Sequence, residues 1–532
     1  QELVLAYLSM PGNNDIFHPV PVRRSALLKR PGMSAAALAQ IIKKGILLSE
    51  EQTVSRLGGA ILQSDPQIFL SEAQNHALEE IRSNFLIHKP VLLFGLTGSG
   101  KTEIYIQLIQ EQLKLGKQVL YLLPEIALTA QIINRLRRFF GKRVQVYHSR
   151  FSENERVEVW NAVASESETG GTVILGARSS LFLPFRKLGL IIVDEEHETS
   201  FKQADPAPRY HARDAAIYLA HLSKAPILLG SATPSFESYY NANQGKYALV
   251  KLQERYGGAK LPQIETVSLK KETMKRQMHG VFSSVLVKEM SRVNSEGGQI
   301  ILFQNRRGFA PLLVCNQCQW TPVCVQCDIS LTYHKAIHQL RCHYCGYHAN
   351  VPSACQNCGS TDIRMKGFGT EKIEEELGTE LPGVTSSRMD LDTTRSKFSY
   401  HRIIEEFEQG KVQVLIGTQM VSKGLDFSNV RLVGILNADS MLGYPDFRAH
   451  ERSFQLLSQV AGRAGRNLEP GKVLIQTWNP DHPVLKWVKA HDYESFFSSE
   501  MKERESFHYP PFVRLIQITL KHEKENVLDI AA

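Results

Sequence analysis

The sequence predicts an α/β protein with two lobes, each built on a parallel β-sheet with helices on both faces. Short apolar runs alternate with amphipathic stretches from residue 66 to residue 252, as where VLLFG (91–95) precedes EIYIQLIQEQLKLG (103–116). This alternation is typical of parallel sheets covered by helices. It resumes at QIILFQN (299–305) and VQVLIGT (412–418), and a block of paired cysteines separates these two runs. The second lobe is therefore expected to carry a cysteine-rich insertion.

Length and composition fit a multidomain globular protein. A chain of 532 residues can form several domains at about 150 residues each. Hydrophobic residues make up 43% and charged residues 22%, as in ordinary globular domains. No apolar run approaches the roughly 18–20 residues of a bilayer crossing, and no signal-peptide pattern opens the sequence, so we expect a cytoplasmic protein without a membrane partner. The net charge of +8 permits a polyanionic partner.

Residues 1–65 predict a small helical module. Apolar residues recur at helical spacing in SAAALAQIIKKGIL (34–47), Gly45 stands near the expected helix end, and basic residues precede the helix at Arg23 and Arg24. The pattern fits a winged-helix-like DNA-binding module, and it fits equally an appendage that only packs against the main body.

A phosphate-binding loop is predicted directly after the first strong strand. The motif GLTGSGKT follows the apolar run VLLF and precedes a helical stretch, which is the context that a Walker A loop requires. Its residues are Gly95, Leu96, Thr97, Gly98, Ser99, Gly100, Lys101 and Thr102. Backbone N–H groups of such a loop face the phosphates, the lysine reaches the β and γ oxygens, and the threonine holds Mg²⁺. The sequence thus predicts a site for ATP with magnesium.

Two further motifs complete a nucleotide hydrolase. The apolar run LGLIIV ends in DEEH, in which Asp194 is predicted to hold the metal with Thr102, and Glu195 to position or deprotonate the attacking water. In the other lobe, QVAGRAGR places Arg463 and Arg466 three residues apart, on one face if the segment is helical. Guanidinium groups suit the charge of a γ-phosphate, so hydrolysis is expected to require closure of the two lobes.

All eight cysteines occur as four CxxC pairs. The pairs are Cys315 with Cys318, Cys324 with Cys327, Cys342 with Cys345, and Cys355 with Cys358. The uniform short spacing favours metal over disulfides, and eight thiols suffice for two tetrahedral Zn²⁺ sites without an open position, which are structural sites. Four pairs can be joined two by two in three ways, and spacing leaves all three open.

The segment that follows DEEH combines aromatic and basic residues and predicts contact with a nucleic acid. Phe201, Lys202, Arg209 and Tyr210 alternate through a proline-containing loop. Aromatic rings beside positive charge suit unpaired bases and their backbone. The alternative is an ordinary lid whose aromatic side chains pack inward.

The motifs also carry a family resemblance. GLTGSGKT, DEEH, GSATPS (230–235), IGTQMVSKGLDF (416–427) and QVAGRAGR occur in the order seen in superfamily 2 helicases. LLPEIALTAQ (122–131), GARSS (176–180), FQNRRGFAP (303–311), the aromatic loop and the cysteine pairs resemble the PriA family, the bacterial primosomal helicases of replication restart. The resemblance covers the chain from about Leu70 to Pro511.

The resemblance implies two RecA-like lobes and further site residues. It implies that Arg178, Arg306, Arg307 and Thr418 face the bound strand, although the two adjacent arginines also fit solvated cations. It implies that Gln74 reads adenine and that Asp426 lies near the ribose. For zinc it implies the nested pairing, in which Cys315, Cys318, Cys355 and Cys358 hold one ion and Cys324, Cys327, Cys342 and Cys345 hold the other.

The predicted domains follow from the alternation and the resemblance together. They are a winged-helix-like module (1–65), the first lobe (66–252), a linker with the start of the second lobe (253–314), the zinc insertion (315–358), the remainder of the second lobe (359–490), and the start of a truncated C-terminal domain (491–532).

The function implied by the resemblance is an ATP-dependent 3′–5′ DNA helicase that recognises stalled or abandoned forks and restarts replication by assembling a primosome. Implied cofactors are ATP, Mg²⁺ and two Zn²⁺ ions. Implied partners are forked DNA with a single-stranded region, other primosome proteins and single-stranded DNA-binding protein. Two alternatives are a superfamily 2 translocase that acts on RNA or does not separate strands, and a nucleotide-gated scaffold that binds forks with little unwinding.

Overall fold

The structure is a computed structural model of the chain. It describes residues 22, 27–28, 34–47, 68–124, 130–148, 151–165, 171–258, 260–305, 313–315, 317–318, 320–325, 330–334, 339–342, 347–365, 370–390, 393, 397–421, 427, 429–465 and 471–516. The chain divides into two compact units, residues 1–59 and residues 60–532. Each unit is described by itself.

The described part of the first unit is built around one helix, α1 (Ala35–Lys43). Ser34 caps the helix because its hydroxyl accepts a hydrogen bond from the Ala37 amide at 3.0 Å. Leu27 and Leu38 are buried at the centre of a small apolar cluster. The winged-helix prediction for residues 1–65 concerns mainly residues outside the described ranges, so it stays a prediction.

The first lobe, residues 68–252, is a parallel sheet with helices on its faces. Its strands are β1 (Val91–Gly95), β2 (Gln118–Leu122), β3 (Val144–Tyr147), β4 (Val173–Gly176), β5 (Leu188–Asp194), β6 (Ile227–Ser231) and β7 (Ala248–Leu252). Its helices are α2 (Glu72–Leu86), α3 (Lys101–Lys114), α4 (Ala130–Phe140), α5 (Glu153–Ala164), α6 (Ala212–Ser223) and α7 (Phe236–Asn243). The strand order is β3-β4-β2-β5-β6-β1-β7, and the paired strands run parallel.

The strands of the first lobe are apolar on both sides because helices cover both faces of the sheet. All residues of β1, β2 and β4 are buried. In a parallel sheet the strands point the same way, so the loops that follow β1, β4 and β5 open at one edge. Ligands of open α/β sheets bind at this edge.

The second lobe repeats the arrangement with its own sheet. Its strands are β8 (Gln263–Ser268), β11 (Gln299–Phe303), β17 (Ser386–Met389), β18 (Val414–Gly417), β19 (Val430–Ile435) and β20 (Lys472–Thr477), with a small hairpin of β9 (Met278–His279) and β10 (Phe282–Ser283). Its helices are α8 (Leu269–Met274), α9 (Ser284–Ser295), α10 (Thr370–Glu380), α11 (Lys397–Glu408), α12 (Asp439–Leu442) and α13 (Ala449–Ala461). The strand order is β17-β18-β11-β19-β20-β8, and the pairs are parallel. The prediction of two parallel α/β lobes is confirmed.

The cysteine-rich insertion lies between β11 and α10 and contains short antiparallel strands. They are β12 (Leu313–Cys315), β13 (Thr332–His334), β14 (Gln339–Arg341), β15 (His348–Asn350) and β16 (Ile363–Met365). Strands β13, β14 and β15 form one sheet, and β12 pairs with β16 at the base of the insertion. The apolar cluster inside it is small, which is the usual reason for such a module to need a metal.

Two helices follow the second sheet, α14 (Pro483–Ala490) and α15 (Tyr493–Ser506), and α15 joins the lobes. Its Tyr493, Phe496 and Phe497 pack against Phe236 and Tyr239 of α7, with ring centroids 4.8 to 6.2 Å apart. Such pairs stabilise a contact by roughly 0.5–1.5 kcal/mol each beyond the burial of area. Across the described ranges, no helix has the length and apolar character to cross a membrane.

Candidate functional site

The loop Gly95–Thr102 connects β1 to α3 and curls around the start of the helix. Gly98 and Gly100 have φ angles of 81° and 84°, a left-handed conformation that glycine adopts without strain. A Cβ atom on Gly100 would lie 1.9 Å from Gln74 Nε2, so a larger residue does not fit. The loop therefore leaves the first amides of α3 facing outward, as a phosphate site requires.

Lys101 is folded back onto the loop. Its Nζ donates to the carbonyls of Gly95 at 2.7 Å and Leu96 at 3.3 Å. The buried hydroxyl oxygen of Ser99 has no hydrogen-bond partner among the described residues. Both observations fit a loop that accepts an anion, because a bound phosphate offers oxygen acceptors to an ammonium that otherwise satisfies itself on carbonyls.

Gln74 differs from the expectation that its amide reads adenine. Its side chain is buried; Nε2 donates to the carbonyls of Ser99 at 3.1 Å and Gly100 at 3.4 Å, and Oε1 accepts from the Ser71 amide at 2.8 Å. The capping box of α2, in which Ser71 and Gln74 satisfy each other's amides, fixes this position. In this position Gln74 contacts the phosphate loop, and its role in reading adenine stays a prediction.

Asp194 stands at the carboxyl end of β5 and is held by two phenols. Tyr105 donates to Oδ1 at 3.0 Å and Tyr121 donates to Oδ2 at 3.2 Å. Burial, and next the charge of Glu195, raise the pKa of Asp194 to about 6, while Lys101 opposes the rise. A divalent cation would favour the ionised carboxylate, so this partly exposed oxygen donor fits a metal site. Sequence reasoning missed both tyrosines, because they fit the apolar faces of α3 and β2.

Glu195 meets the second lobe directly. Its Oε2 accepts a hydrogen bond from Gln459 Nε2 at 3.0 Å, and the same amide nitrogen lies 2.9 Å from His197 Nε2. His197 Nδ1 in turn lies 2.7 Å from Ser231 Oγ. One glutamine of α13 thus joins the end of DEEH to the segment that carries the predicted arginine fingers.

The described residues that follow α13 form a turn. Helix α13 ends at Ala461 with Gly462 as its C-cap, and Gly465 has a φ of 63°, so residues 462–465 do not continue the helix. The shared face of Arg463 and Arg466 stays a prediction. Arg463 is buried, and Arg466 lies outside the described residues. The turn reaches the phosphate loop, since a Cβ on Gly462 would be 3.1 Å from the Thr97 side chain.

Arg255 connects the same two segments, and sequence reasoning missed it. Its Nε donates to the Thr97 carbonyl at 3.0 Å. Its Nη1 donates to the carbonyls of Lys260 at 3.0 Å and Gly465 at 3.1 Å. No pattern in the sequence marks an arginine whose partners are backbone carbonyls, two of which, those of Thr97 and Gly465, are distant along the chain.

A buried network links Glu196 of DEEH to Ser235 of GSATPS and to Ser238 of α7. Glu196 is fully buried and accepts from Arg213 Nη1 at 3.0 Å and from the Ser238 hydroxyl at 2.7 Å. Its other oxygen accepts from the Ser235 amide at 2.7 Å. Breaking one partner of such a buried ion pair is strongly destabilising, so the loop up to Arg213 is held firmly to the acidic motif.

Phe201 of the aromatic loop packs inward, while Phe182, which lies outside this loop, is exposed. Phe201 is only 1% exposed, so it anchors the loop and does not offer its ring to a base, which is the inward-packing alternative. Tyr210 is partly exposed, and its hydroxyl donates to the Arg178 carbonyl at 3.3 Å. Phe182, which the sequence analysis did not single out, is 58% exposed, and its ring meets Tyr210 edge-on at 5.2 Å.

Basic side chains lie in the same segments as these two rings. Arg178 Nη1 donates to the Ser200 carbonyl at 3.1 Å, and Lys202 and Arg209 are exposed. In the second lobe Thr418 is buried just after β18. The remaining predicted contacts, Arg306, Arg307 and Asp426, lie outside the described residues.

A cleft of about 270 Å³ separates the two lobes beside the acidic motif. His197 and Thr199 line it from the first lobe, and Asn305, Gln419 and Gln459 line it from the second. Its polar walls belong to segments that also form the nucleotide site, so a ligand in this cleft would contact both lobes.

The first and fourth cysteine pairs come together. Sγ atoms of Cys315, Cys318, Cys355 and Cys358 all lie within 4.8 Å of one another, with Cys315 to Cys358 at 3.6 Å and Cys318 to Cys355 at 3.4 Å. The pairing of β12 with β16 brings them there, and four thiols at such distances fit a tetrahedral zinc site. This grouping is the one that the nested pairing requires.

The second set of cysteines is described only in part. Cys324 and Cys342 are buried in the apolar cluster of the insertion. Cys327 and Cys345 lie outside the described residues. The second ligand set therefore stays a prediction.

The fold and the phosphate site define the class: these are the two lobes of an ATP-binding helicase. Family models agree, since residues 71–242 match "DEAD/DEAH box helicase" and residues 365–468 match "Helicase conserved C-terminal domain". Residues 324–349 match "PriA DNA helicase Cys-rich region (CRR) domain", and this segment contains Cys324, Cys327, Cys342 and Cys345.

Full-length relatives identify the family. Over 509 residues the chain is 42% identical to the replication restart protein PriA of Bacillus subtilis (strain 168). The aligned region covers 95% of this chain and 63% of that protein. The chain is 40% identical over 464 residues to the PriA of Rickettsia felis, covering 87% of this chain and 70% of that protein. The chain belongs to the PriA family of replication restart proteins, and it spans about three fifths of the first two curated relatives it matches.

Proposed function

We propose that the chain is the motor of an ATP-dependent 3′–5′ DNA helicase that acts at stalled or abandoned replication forks and starts primosome assembly there. The observation that carries the proposal is the contact of Glu195 with Gln459 across the lobes, at 3.0 Å. It supports a site that is complete only when the lobes close, which is how hydrolysis becomes coupled to movement. The direction of movement and the restart role rest on membership of the PriA family.

In the proposed reaction, water attacks the γ-phosphorus of ATP, and ADP leaves with the bridging oxygen. Amides of the phosphate loop and Lys101 bind the β and γ oxygens, and Glu195 orients the water and receives its proton. Arg463 and Arg466 act as arginine fingers from the second lobe. Mg²⁺, held by Thr102 and Asp194, would supply charge neutralisation at the phosphate oxygens. Burial raises the pKa of Asp194, which supports this carboxylate as one that a nearby cation would stabilise in its ionised form.

We propose that an unpaired DNA strand crosses the exposed rings and cations of the first lobe. Phe182 and Tyr210 would stack on bases, while Arg178, Lys202 and Arg209 bind the backbone. Arg306, Arg307 and Thr418 would contact the strand from the second lobe. The loop that carries Tyr210 ends at Arg213, which bonds to Glu196 of the acidic motif. Strand binding to this loop can therefore change the position of the acidic motif.

For the insertion we propose two structural Zn²⁺ ions with the nested ligand sets. Four converging thiols support the first set, and the match to the Cys-rich region over residues 324–349, which holds the other four cysteines, supports the second. The proposed partners beyond the fork are primosome proteins and single-stranded DNA-binding protein, and the proposed location is the cytoplasm, where such forks lie in bacteria.

Strand displacement on a labelled fork tests this function. We expect the wild-type chain to separate the duplex with ATP and Mg²⁺, and to bind without separating it when ATP is replaced by a non-hydrolysable analogue. Lys101→Ala is the matched control that keeps the fold. Binding and ATP turnover without displacement would support a translocase, and binding without turnover would support the scaffold alternative.

A further inference from the structure

Arg255 lies in the linker that follows β7, and its buried guanidinium gathers three backbone carbonyls. One belongs to Thr97 in the phosphate loop, one to Lys260 in the linker, and one to Gly465 in the turn after α13; the N···O distances are 3.0, 3.0 and 3.1 Å. The residue is only 9% exposed. A single side chain thus bonds to both lobes and to the segment that connects them.

The carbonyls of Thr97 and Gly465 each share a peptide group with the amide of the next residue, which is part of the proposed site. The Thr97 carbonyl belongs to the peptide that carries the Gly98 amide, and the Gly465 carbonyl belongs to the peptide that carries the Arg466 amide. A charge-assisted hydrogen bond to a carbonyl polarises its peptide, and hydrogen bonds in series strengthen one another. Arg255 therefore makes the Gly98 amide a better donor to an anion while it fixes the residue that precedes Arg466.

We propose that Arg255 is a positioning residue that couples closure of the lobes to the geometry of the phosphate loop. In this role it acts through its bonds to the carbonyls of Thr97 and Gly465. When the lobes separate, Arg255 cannot keep its bonds to both Thr97 and Gly465, so one side chain no longer holds the phosphate loop and the turn after α13 together. The inference rests on the proposed function and names a part of the machinery that the motifs do not contain.

The bonding pattern explains why arginine is needed. Nε and Nη1 are donors in one rigid plane, and they reach carbonyls on two sides of the group at once. A lysine ammonium is a point charge on a flexible stem and does not reproduce a planar fork. Charge alone is therefore not expected to preserve the function of this residue.

The test compares Arg255→Ala and Arg255→Lys with the wild-type chain. We expect the single-strand-stimulated kcat for ATP hydrolysis to fall about tenfold in both variants, as for the loss of a charged hydrogen bond. The equilibrium Kd for a fluorescent ATP analogue should rise less than about threefold, since the loop amides and Lys101 remain. A kcat loss without a matching loss of binding is the result that a purely structural role does not give.

Arg448→Ala is the matched control, because it also removes an arginine that bonds the two lobes together, here through an ion pair. Arg448 Nη2 lies 2.6 Å from Glu237 Oε1, away from the phosphate loop. The proposal predicts that this variant keeps kcat within about twofold of wild type. An equal loss in Arg448→Ala, or wild-type kcat in Arg255→Lys, would overturn it.

Two outcomes separate this inference from the proposed function. Wild-type chain without strand-stimulated hydrolysis contradicts the proposed function, whatever Arg255 does. Wild-type chain that hydrolyses ATP while Arg255→Ala hydrolyses it equally well contradicts the positioning role alone. If Arg255→Ala does not fold, Arg255→Lys, which retains a cation at the site, provides the same comparison.

Discussion

Gln459 Nε2 donates to Glu195 Oε2 at 3.0 Å, and this one hydrogen bond joins the acidic motif of the first lobe to the last turns of α13 in the second. The same nitrogen lies 2.9 Å from His197 Nε2. The carboxylate proposed to orient the water is therefore oriented itself by the opposite lobe. Closure of the lobes therefore also orients Glu195 for hydrolysis.

Replacing Gln459 should slow hydrolysis without weakening nucleotide binding. We expect Gln459→Ala to lower kcat by roughly tenfold, because Glu195 loses its orienting donor. Gln455→Ala is the control on the same helix, since Gln455 Nε2 donates to the carbonyls of Thr233 and Pro234 at 3.3 Å and not to Glu195. Equal kcat values for the two variants in a steady-state ATPase assay would contradict this role.

Lys101→Ala should abolish ATP hydrolysis and leave the fold intact. The ammonium donates to carbonyls of its own loop, so its loss removes a phosphate contact and little packing. The measurements are ATP turnover, zinc content by atomic absorption and the melting temperature. Turnover at the wild-type rate would refute the assignment of the site.

Phe182→Ala should weaken binding of a single strand. Stacking contributes roughly 1–3 kcal/mol per base, so we expect the Kd for a labelled oligonucleotide to rise about tenfold while hydrolysis without DNA stays unchanged. Phe69→Ala is a suitable control, because Phe69 is also exposed but precedes α2. The stacking role fails if the two variants bind the strand equally well.

Cys318→Ser should remove zinc and impair unwinding more than ATP hydrolysis. Its Sγ lies 3.4 Å from that of Cys355 within the four-thiol cluster, and metal binding in such modules supplies folding energy. We expect the zinc content to fall by about one ion per chain in elemental analysis. Unchanged zinc content would exclude Cys318 as a ligand.

Acid should destabilise the chain partly through His211. Burial, and next the charge of Arg213, lower the pKa of His211 to about 4, against the effect of Asp214, Glu196 and Glu237. In the unfolded chain this pKa is about 6.5, so the unfolded state binds more protons between these values, and stability is lost as the pH falls through them. His211→Gln should lose less stability than wild type between pH 7 and pH 5 in urea titrations. Identical losses would contradict this.

Local pattern predicted most of the fold and the centre of the site. The apolar runs marked the strands of both lobes because strands buried on two faces must be apolar throughout. Glycines allow the positive φ angles of the phosphate loop, and the short spacing within each cysteine pair places two thiols close together. These features needed no knowledge of distant contacts.

Long-range contacts account for what the sequence did not predict. Phe201 fits an exposed stacking residue by composition, yet the fold buries it, and Phe182 takes the exposed place beside Tyr210. Tyr105 is part of the apolar face of α3, and only the fold brings its hydroxyl to Asp194. Arg255 bonds to carbonyls, which every residue has, so no residue type marks its partners.

An unpaired strand is proposed to stimulate the hydrolysis of ATP between the two lobes. The most direct measurement is the rate of ATP hydrolysis by the purified chain as single-stranded DNA is added at constant ATP and Mg²⁺. We predict a saturable rise in rate that disappears in Lys101→Ala. A rate that does not change while the strand demonstrably binds would contradict the account.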